Sequence, residues 1–329
     1  MPSIKYIKKN FDVITLVLIF SVSAVIAHDY FYRVDLPGYQ LRLNLHRQIM
    51  AGTAPSPYNY RILVPFAVEF LISAISIILP AKLAFLLSYA IYDLLSIFIL
   101  LTTLFSWLRI WFSRELTLIG ILFVAGTMPI ALQNHYYQPW SVLEAVFFTA
   151  SLVAIHRKRY WLLALLVGLA TLNRETAICI PVVFLLTNLD LMKILKAKKI
   201  LNWKPILIFC GLFLTWAIIF LGLRYFRASE SSVLTIKELL LLNTSTENLL
   251  ATFVNGSLFL GGFWVFTVLG LRSAPTFIKQ ISLVVPFYVI AIIVWGIWYE
   301  VRLLMPMYPI FLSLGLSFLD NQELKLEAL

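Results

Sequence analysis

A chain of 329 residues that is 61% hydrophobic and only 13% charged departs from soluble domains, which run about 45–50% apolar and about 25% charged. These figures exclude a soluble globular domain, a disordered chain, collagen and a secreted disulfide scaffold, and leave room for about ten helical crossings of a hydrocarbon layer about 30 Å thick. In such a chain a net charge of +10 reports first on membrane orientation, and no nucleic-acid partner is expected.

Lys5, Lys8 and Lys9 precede an apolar run from Phe11 to Ala27, which predicts a first helix that starts in the cytoplasm. Val25 and Ala27 fit a weak small-residue cleavage pattern, but a multi-spanning chain follows, so the segment is read as an anchor. From His28 to Tyr60 the sequence turns polar, aromatic and Pro-containing; this is the predicted first outer loop. Further apolar runs lie at about 62–79, 83–107, 116–132, 140–155, 160–172, 177–190, 205–223, 253–271, 281–298 and 302–319. Letting every run cross would put Arg157, Lys158, Arg159 and the Lys193 to Lys204 cluster outside, against the positive-inside rule. A single crossing over 61–107 moves them all inside. In that arrangement 62–79 is a half-helix or interfacial helix broken at Pro65 and Pro80.

The expectation is therefore an all-α, polytopic membrane helix bundle. It has about ten crossings, a non-spanning helix after the first outer loop and both termini in the cytoplasm, and the whole chain forms one transmembrane domain. Eleven of thirteen lysines then lie inside, while Arg33, Arg42, Arg47, Arg61, Arg174, Arg224, Arg227 and Arg302 lie outside. Lysine serves as bulk orientation charge, whereas the planar fork of arginine suits bidentate recognition of phosphate or carboxylate. A second outer segment, 224–256, carries a predicted amphipathic surface helix capped by Ser231 or Ser232. Asn243 and Asn255 match the glycosylation acceptor pattern by chance. Cys179 and Cys210 sit inside apolar runs and are read as small core residues. No CxxC, P-loop, GxGxxG or HExxH spacing occurs, which removes support for nucleotide-driven transport and zinc hydrolysis.

Ionisable residues at membrane depth are candidate functional groups. Asn173-Arg174-Glu175 lies between two runs too short for a full span, so the triplet either lines a cavity or ties two short helices by an Arg–Glu pair. Tyr299-Glu300-Val301-Arg302 forms a reversal without turn residues: either an arginine aimed into a cavity and held by a carboxylate, or aromatic-belt anchoring with a salt bridge. Around Gln138-Pro139-Trp140, His135 and Tyr137 are either sugar-facing aromatics or an ordinary aromatic belt, with Glu144 one turn into the next helix. Asp29 and Asp35 either balance surface charge or supply a general base beside a phosphate-binding arc of arginines. Two acids, Glu69 and Asp93, are expected to be buried, and Asp93 needs a partner. His28, His46 and His135 match no metal spacing, so no metal is expected.

Four stretches, VDLPGYQLRLNLHRQIMAGTAPSPYNYRILVP, NHYYQPW, LNRETAICIPVVFLL and YEVRLLMPMYP, together resemble the GT-C superfamily of integral membrane glycosyltransferases. That resemblance implies a polyprenyl-phosphate sugar as donor, a glycan or lipid acceptor and an active site on the outer face of a bacterial plasma membrane. In the family a catalytic Asp in the first outer loop precedes a Tyr and a helix ending in Gly; Asp35, Tyr39 and Gly52 match in order. Where many members place a second acid, this chain has Gln138-Pro139-Trp140. The implied reaction is an inverting transfer with Asp35 as general base. Arg174 and Arg302, then Arg224 and Arg227, would stabilise the leaving lipid phosphate, oriented by Glu175 and Glu300, and no cofactor is required. The alternative is a transporter or flippase of a lipid-linked or anionic solute. The one-sided polar clusters and the lack of an internal repeat weigh against it.

Overall fold

The computed structural model describes residues 13–133, 138–189, 203–228 and 233–327. It is 84% helix and contains no strand among the described residues. The first helix, α1 (Val13–Tyr30), does not end at Ala27 but continues through a π-helical turn, Phe31–Asp35. No glycine or proline falls between Val13 and Leu36, so the polar residues 28–35 stay on the helix. The predicted loop is itself largely helical, since α2 (Tyr39–Ala51) follows and ends at Gly52. There φ is +75°, a left-handed conformation that glycine adopts without strain, and the Gly52 N–H returns to the carbonyls of Gln48 and Ile49.

Next come α3 (Leu63–Ile75) and α4 (Ala81–Leu108), separated at Pro80 as the sequence predicts. Pro65 does not break α3, because it falls in the first turn, where its missing N–H has no helical partner to lose. At 13 residues α3 rises only about 20 Å, short of the hydrocarbon thickness. Then follow α5 (Arg114–Ala131), N-capped by the Ser113 hydroxyl, α6 (Ser141–His156), α7 (Tyr160–Asn173), α8 (Cys179–Asn188) and α9 (Trp203–Phe226).

In the second outer segment Ser231 and Ser232 lie outside the described residues. The helix there, α10 (Ile236–Thr244), is capped instead by Thr235, whose hydroxyl and backbone exchange hydrogen bonds with Glu238 in a capping box. The run 253–271 is not one helix. It divides into α11 (Thr246–Leu260) and α12 (Phe263–Ser273), bent by 64° at Gly261-Gly262. Hence the segment expected to stay outside until 256 joins a bent, span-length pair from Thr246 onward. Last come α13 (Thr276–Ser282), α14 (Val284–Trp295) and, after a 3-10 turn over Val301–Met307, α15 (Tyr308–Glu327).

Among the described residues six helical segments are long and apolar enough to cross a membrane, and the bent pair makes seven. Their outward faces are apolar, as on α9, where Leu207, Ile218 and Leu221 are all more than 60% exposed. Such a surface suits hydrocarbon rather than water. Cys210 belongs to that exposed face and is not a core residue. The chain is thus a polytopic helical bundle compatible with an integral multi-pass membrane protein. Four shorter apolar helices, Leu63–Ile75, Ser141–His156, Tyr160–Asn173 and Glu175–Asn188, fill its remaining positions.

Helices α12 and α15 pack tightly against each other. A Cβ on Gly270 would fall inside van der Waals contact of the Leu314 backbone carbonyl, and one on Gly315 would meet the Phe263 ring. The two helices are further tied by hydroxyls, Thr267 to Phe311 O at 3.1 Å and Ser273 to Ser317 O at 3.0 Å. Small residues let membrane helices approach this closely. Gly270→Ala should therefore force the helices apart, at about 1–3 kcal/mol, and lower the thermal unfolding midpoint in detergent. Gly211→Ala, at an open position, should leave that midpoint in place.

Candidate functional site

Two buried polar networks occupy the end of the bundle where α1, α7 and α9 finish and α6 and α8 begin. The first centres on Arg42. As α2 packs beside α1 and α4, the Arg42 guanidinium reaches the Asp35 carboxylate in an ion pair, Asp93 at 3.5 Å and the Tyr30 hydroxyl at 2.7 Å. Its Cζ lies 4.6 Å from the centroid of the Tyr89 ring. Asp35, Arg42 and Asp93 are each at most 3% exposed. Arg42 is thus the partner that Asp93 required, and it holds both acids at once. Burial opposes the charge on Arg42, but the surrounding phenols and acids outweigh that, and its pKa rises above the usual arginine value.

The two acids of the first outer loop have separate fates. Asp29 makes an exposed i,i+4 pair with Arg33 at 2.7 Å, whereas Asp35 is buried. Tyr39 does not join Asp35 in the contacts formed; its ring packs edge-on against Phe85 and lies 5.4 Å from the Lys82 ammonium. Glu69, expected to be buried, has a side chain 41% exposed and sits 2.8 Å from His46 Nε2. Burial lowers the His46 pKa against the opposing pull of Glu69, and its Nδ1 lies 3.0 Å from the Tyr89 hydroxyl.

The second network gathers arginines from distant parts of the chain. Arg174 caps the end of α7 in an extended conformation, φ −163° and ψ 144°, so side chains 174 and 175 point to opposite sides. This corrects the expected Arg174–Glu175 pairing. Arg174 turns to Glu144 on α6, Nη1 to Oε2 at 2.6 Å, while Glu175 accepts both Nε, at 3.2 Å, and Nη2 of Arg61. Arg302 is held by Glu300, as expected, and lies 3.4 Å from the Ser141 hydroxyl. Arg224 has no carboxylate partner among the described residues. Its guanidinium stacks on Phe220 and Tyr60, with Cζ 3.5 Å and 4.6 Å from the ring centroids. Arg227 donates to Ile49 O beside Gly52.

The segment Gln138-Pro139-Trp140 braces this network rather than supplying an acid to it. Gln138 accepts from Arg61 at 3.1 Å and donates to the Tyr58 hydroxyl at 3.0 Å; Trp140 Nε1 donates to Arg61 O at 2.9 Å and its ring stacks on Tyr58. Asn173 Nδ2 donates to Trp140 O at 3.1 Å. Through Tyr92, whose hydroxyl donates to Pro139 O at 2.7 Å, this segment also touches the turn of α4 that carries Asp93. The two networks are therefore neighbours. His135 and Tyr137 lie outside the described residues.

Arg61, one of the outer arginines, and Glu144, an acid one turn into an apolar helix, carried a signal in the sequence, whereas Thr176 and Tyr288 join the site without one. The side-chain amide of Asn243 is committed within the fold. Its buried side chain donates to Ile293 O and Gly296 O and accepts from Trp298 N–H, at 2.8 to 2.9 Å. No protein-family model, curated protein or solved structure matches this chain.

Proposed function

We propose that the chain is a GT-C-like membrane glycosyltransferase that moves a sugar from a polyprenyl-phosphate donor to a glycan or lipid acceptor at the outer face of the membrane. The supporting observation is the meeting of Arg61, Arg174 and Arg302, with Arg224 beside them, at the end of the bundle that also holds Asp35. In this reading α6, α7 and α8 cross together with the six long segments and the bent pair. That makes ten crossings, with α3 non-spanning and both termini inside.

Asp35 is the general base in this scheme. The acceptor hydroxyl replaces Arg42 at its carboxylate and gives it a proton as the oxygen attacks the anomeric carbon, while Arg42 stays with Asp93 and Tyr30. Catalytic hydrogen bonds often form only in the substrate complex. As the bond to the lipid phosphate breaks, its oxygens gain charge, which fixed guanidinium groups in a dry site stabilise. Arg302, buried and held by a single carboxylate, is assigned to that phosphate.

The test is a transfer assay with purified Arg302 variants. Arg302→Ala should lower kcat/KM by about 10²-fold, the scale of losing one donor to a developing oxyanion. Arg302→Lys, which keeps the charge but not the fork, should fall between alanine and wild type. Equal rates in all three proteins would remove Arg302 from the phosphate site.

A further inference from the structure

The Glu144 carboxylate is surrounded as a bound anion would be. Arg174 Nη1 donates to one oxygen at 2.6 Å, and the hydroxyls of Thr176 and Tyr288, the latter at 3.2 Å, donate to the other. The donors come from the α7–α8 connection, which carries Arg174 and Thr176, and from α14, which carries Tyr288, and Glu144 is 8% exposed. Beside it a cavity of about 10 Å³, room for one water, is walled by Phe147, Phe148, Ala170, Ala177, Ile180 and Pro306. The Nε of Arg174 is buried and has no hydrogen-bond partner among the described residues. Arg61, in contrast, gives both Nε and Nη2 to Glu175 and is fully engaged.

We propose that Glu144 is an internal placeholder. Its carboxylate occupies an anion site built from Arg174, Thr176 and Tyr288, and a phosphate carried on an apolar chain displaces it. The chemistry of the walls and donors supports this occupant. The apolar lining accepts hydrocarbon, the two hydroxyls and the guanidinium match phosphate oxygens, and the idle Nε supplies a donor that a carboxylate with two oxygens leaves unused. The cavity is too small for a phosphate while Glu144 is in place, so entry requires the carboxylate to leave. The exchange replaces one anion by another, and Arg174 never faces the low-dielectric interior unpaired. This inference rests on the lipid-phosphate reading of the site and adds a gate to it.

The experiment uses the full chain in neutral detergent, with dodecyl phosphate and inorganic phosphate as separate probes and tryptophan fluorescence as the readout. Glu144→Gln removes the competing charge and should lower the apparent Kd for dodecyl phosphate at least about tenfold, a change of about 1.4 kcal/mol. Glu144→Asp draws the carboxylate back from Arg174 and should show a smaller gain; it reports on the gate if the glutamine variant does not fold. Adding Arg174→Gln should abolish the gain. The same gain with inorganic phosphate would assign the site to free phosphate, and a gain confined to dodecyl phosphate would assign it to a lipid headgroup. Unchanged affinity for both probes in monodisperse Glu144 variants would overturn the proposal, as would a gain that survives Arg174→Gln. If those affinities stay unchanged while Asp35→Asn still abolishes transfer, the gate is lost and the transferase reading stands.

Discussion

Replacing Arg42 by methionine is expected to destabilise the protein by about 3–5 kcal/mol, the usual cost of removing one partner from a buried ion pair. The reason is specific to this site. Arg42 faces Asp35 and Asp93 together, and both acids are almost fully enclosed. Without the guanidinium they would be two adjacent buried carboxyls, which must take up protons or admit water. The loss should therefore be partly recovered by adding Asp35→Asn and Asp93→Asn to Arg42→Met, because three neutral side chains carry no uncompensated charge. Thermal unfolding in detergent, followed by circular dichroism, checks both statements. A single Arg42→Met variant as stable as wild type would mean that the cluster contributes nothing to the fold.

Asp35→Asn is expected to do the opposite, leaving the fold intact and removing the chemistry. Arg42 keeps Asp93 at 3.5 Å and the Tyr30 hydroxyl at 2.7 Å, so the asparagine variant leaves no lone buried cation. Loss of a general base costs about 10²–10⁴-fold in rate, and the decrease should appear in kcat rather than in donor affinity, since the arginines remain. Asp93→Asn removes a neighbour of the base and not the base itself, so its effect on kcat should be smaller. An Asp35→Asn enzyme with a wild-type rate would end the assignment.

These two expectations mark what the sequence could disclose and what it could not. The helices were legible because apolar runs have visible ends. The run 83–107 is α4 and 160–172 is α7. Pro80 was a true break, whereas Pro65 was not, because a proline disrupts a helix only beyond its first turn. The bend falls at Gly261-Gly262, a pair that marks a turn, but reading 253–271 as one apolar run passed over it. The polar partnerships were less legible still. Glu300 and Arg302, two positions apart on one tight turn, could be paired on sight. Arg42 with Asp35 and Asp93, Arg61 with Glu175, and Arg174 with Glu144 could not, since each depends on how separate helices dock. The extended backbone at Arg174 decides one of them, sending adjacent residues to opposite partners.

The most direct measurement places the purified chain in proteoliposomes with a polyprenyl-phosphate donor whose sugar is radiolabelled, supplies a membrane-impermeant acceptor outside, and separates products after incubation. Label should become covalently joined to the acceptor, free polyprenyl phosphate should be released in equal amount, and neither should appear with the Asp35→Asn protein. Intact labelled donor moved from one leaflet to the other without bond cleavage would contradict the transferase reading and identify a transporter instead.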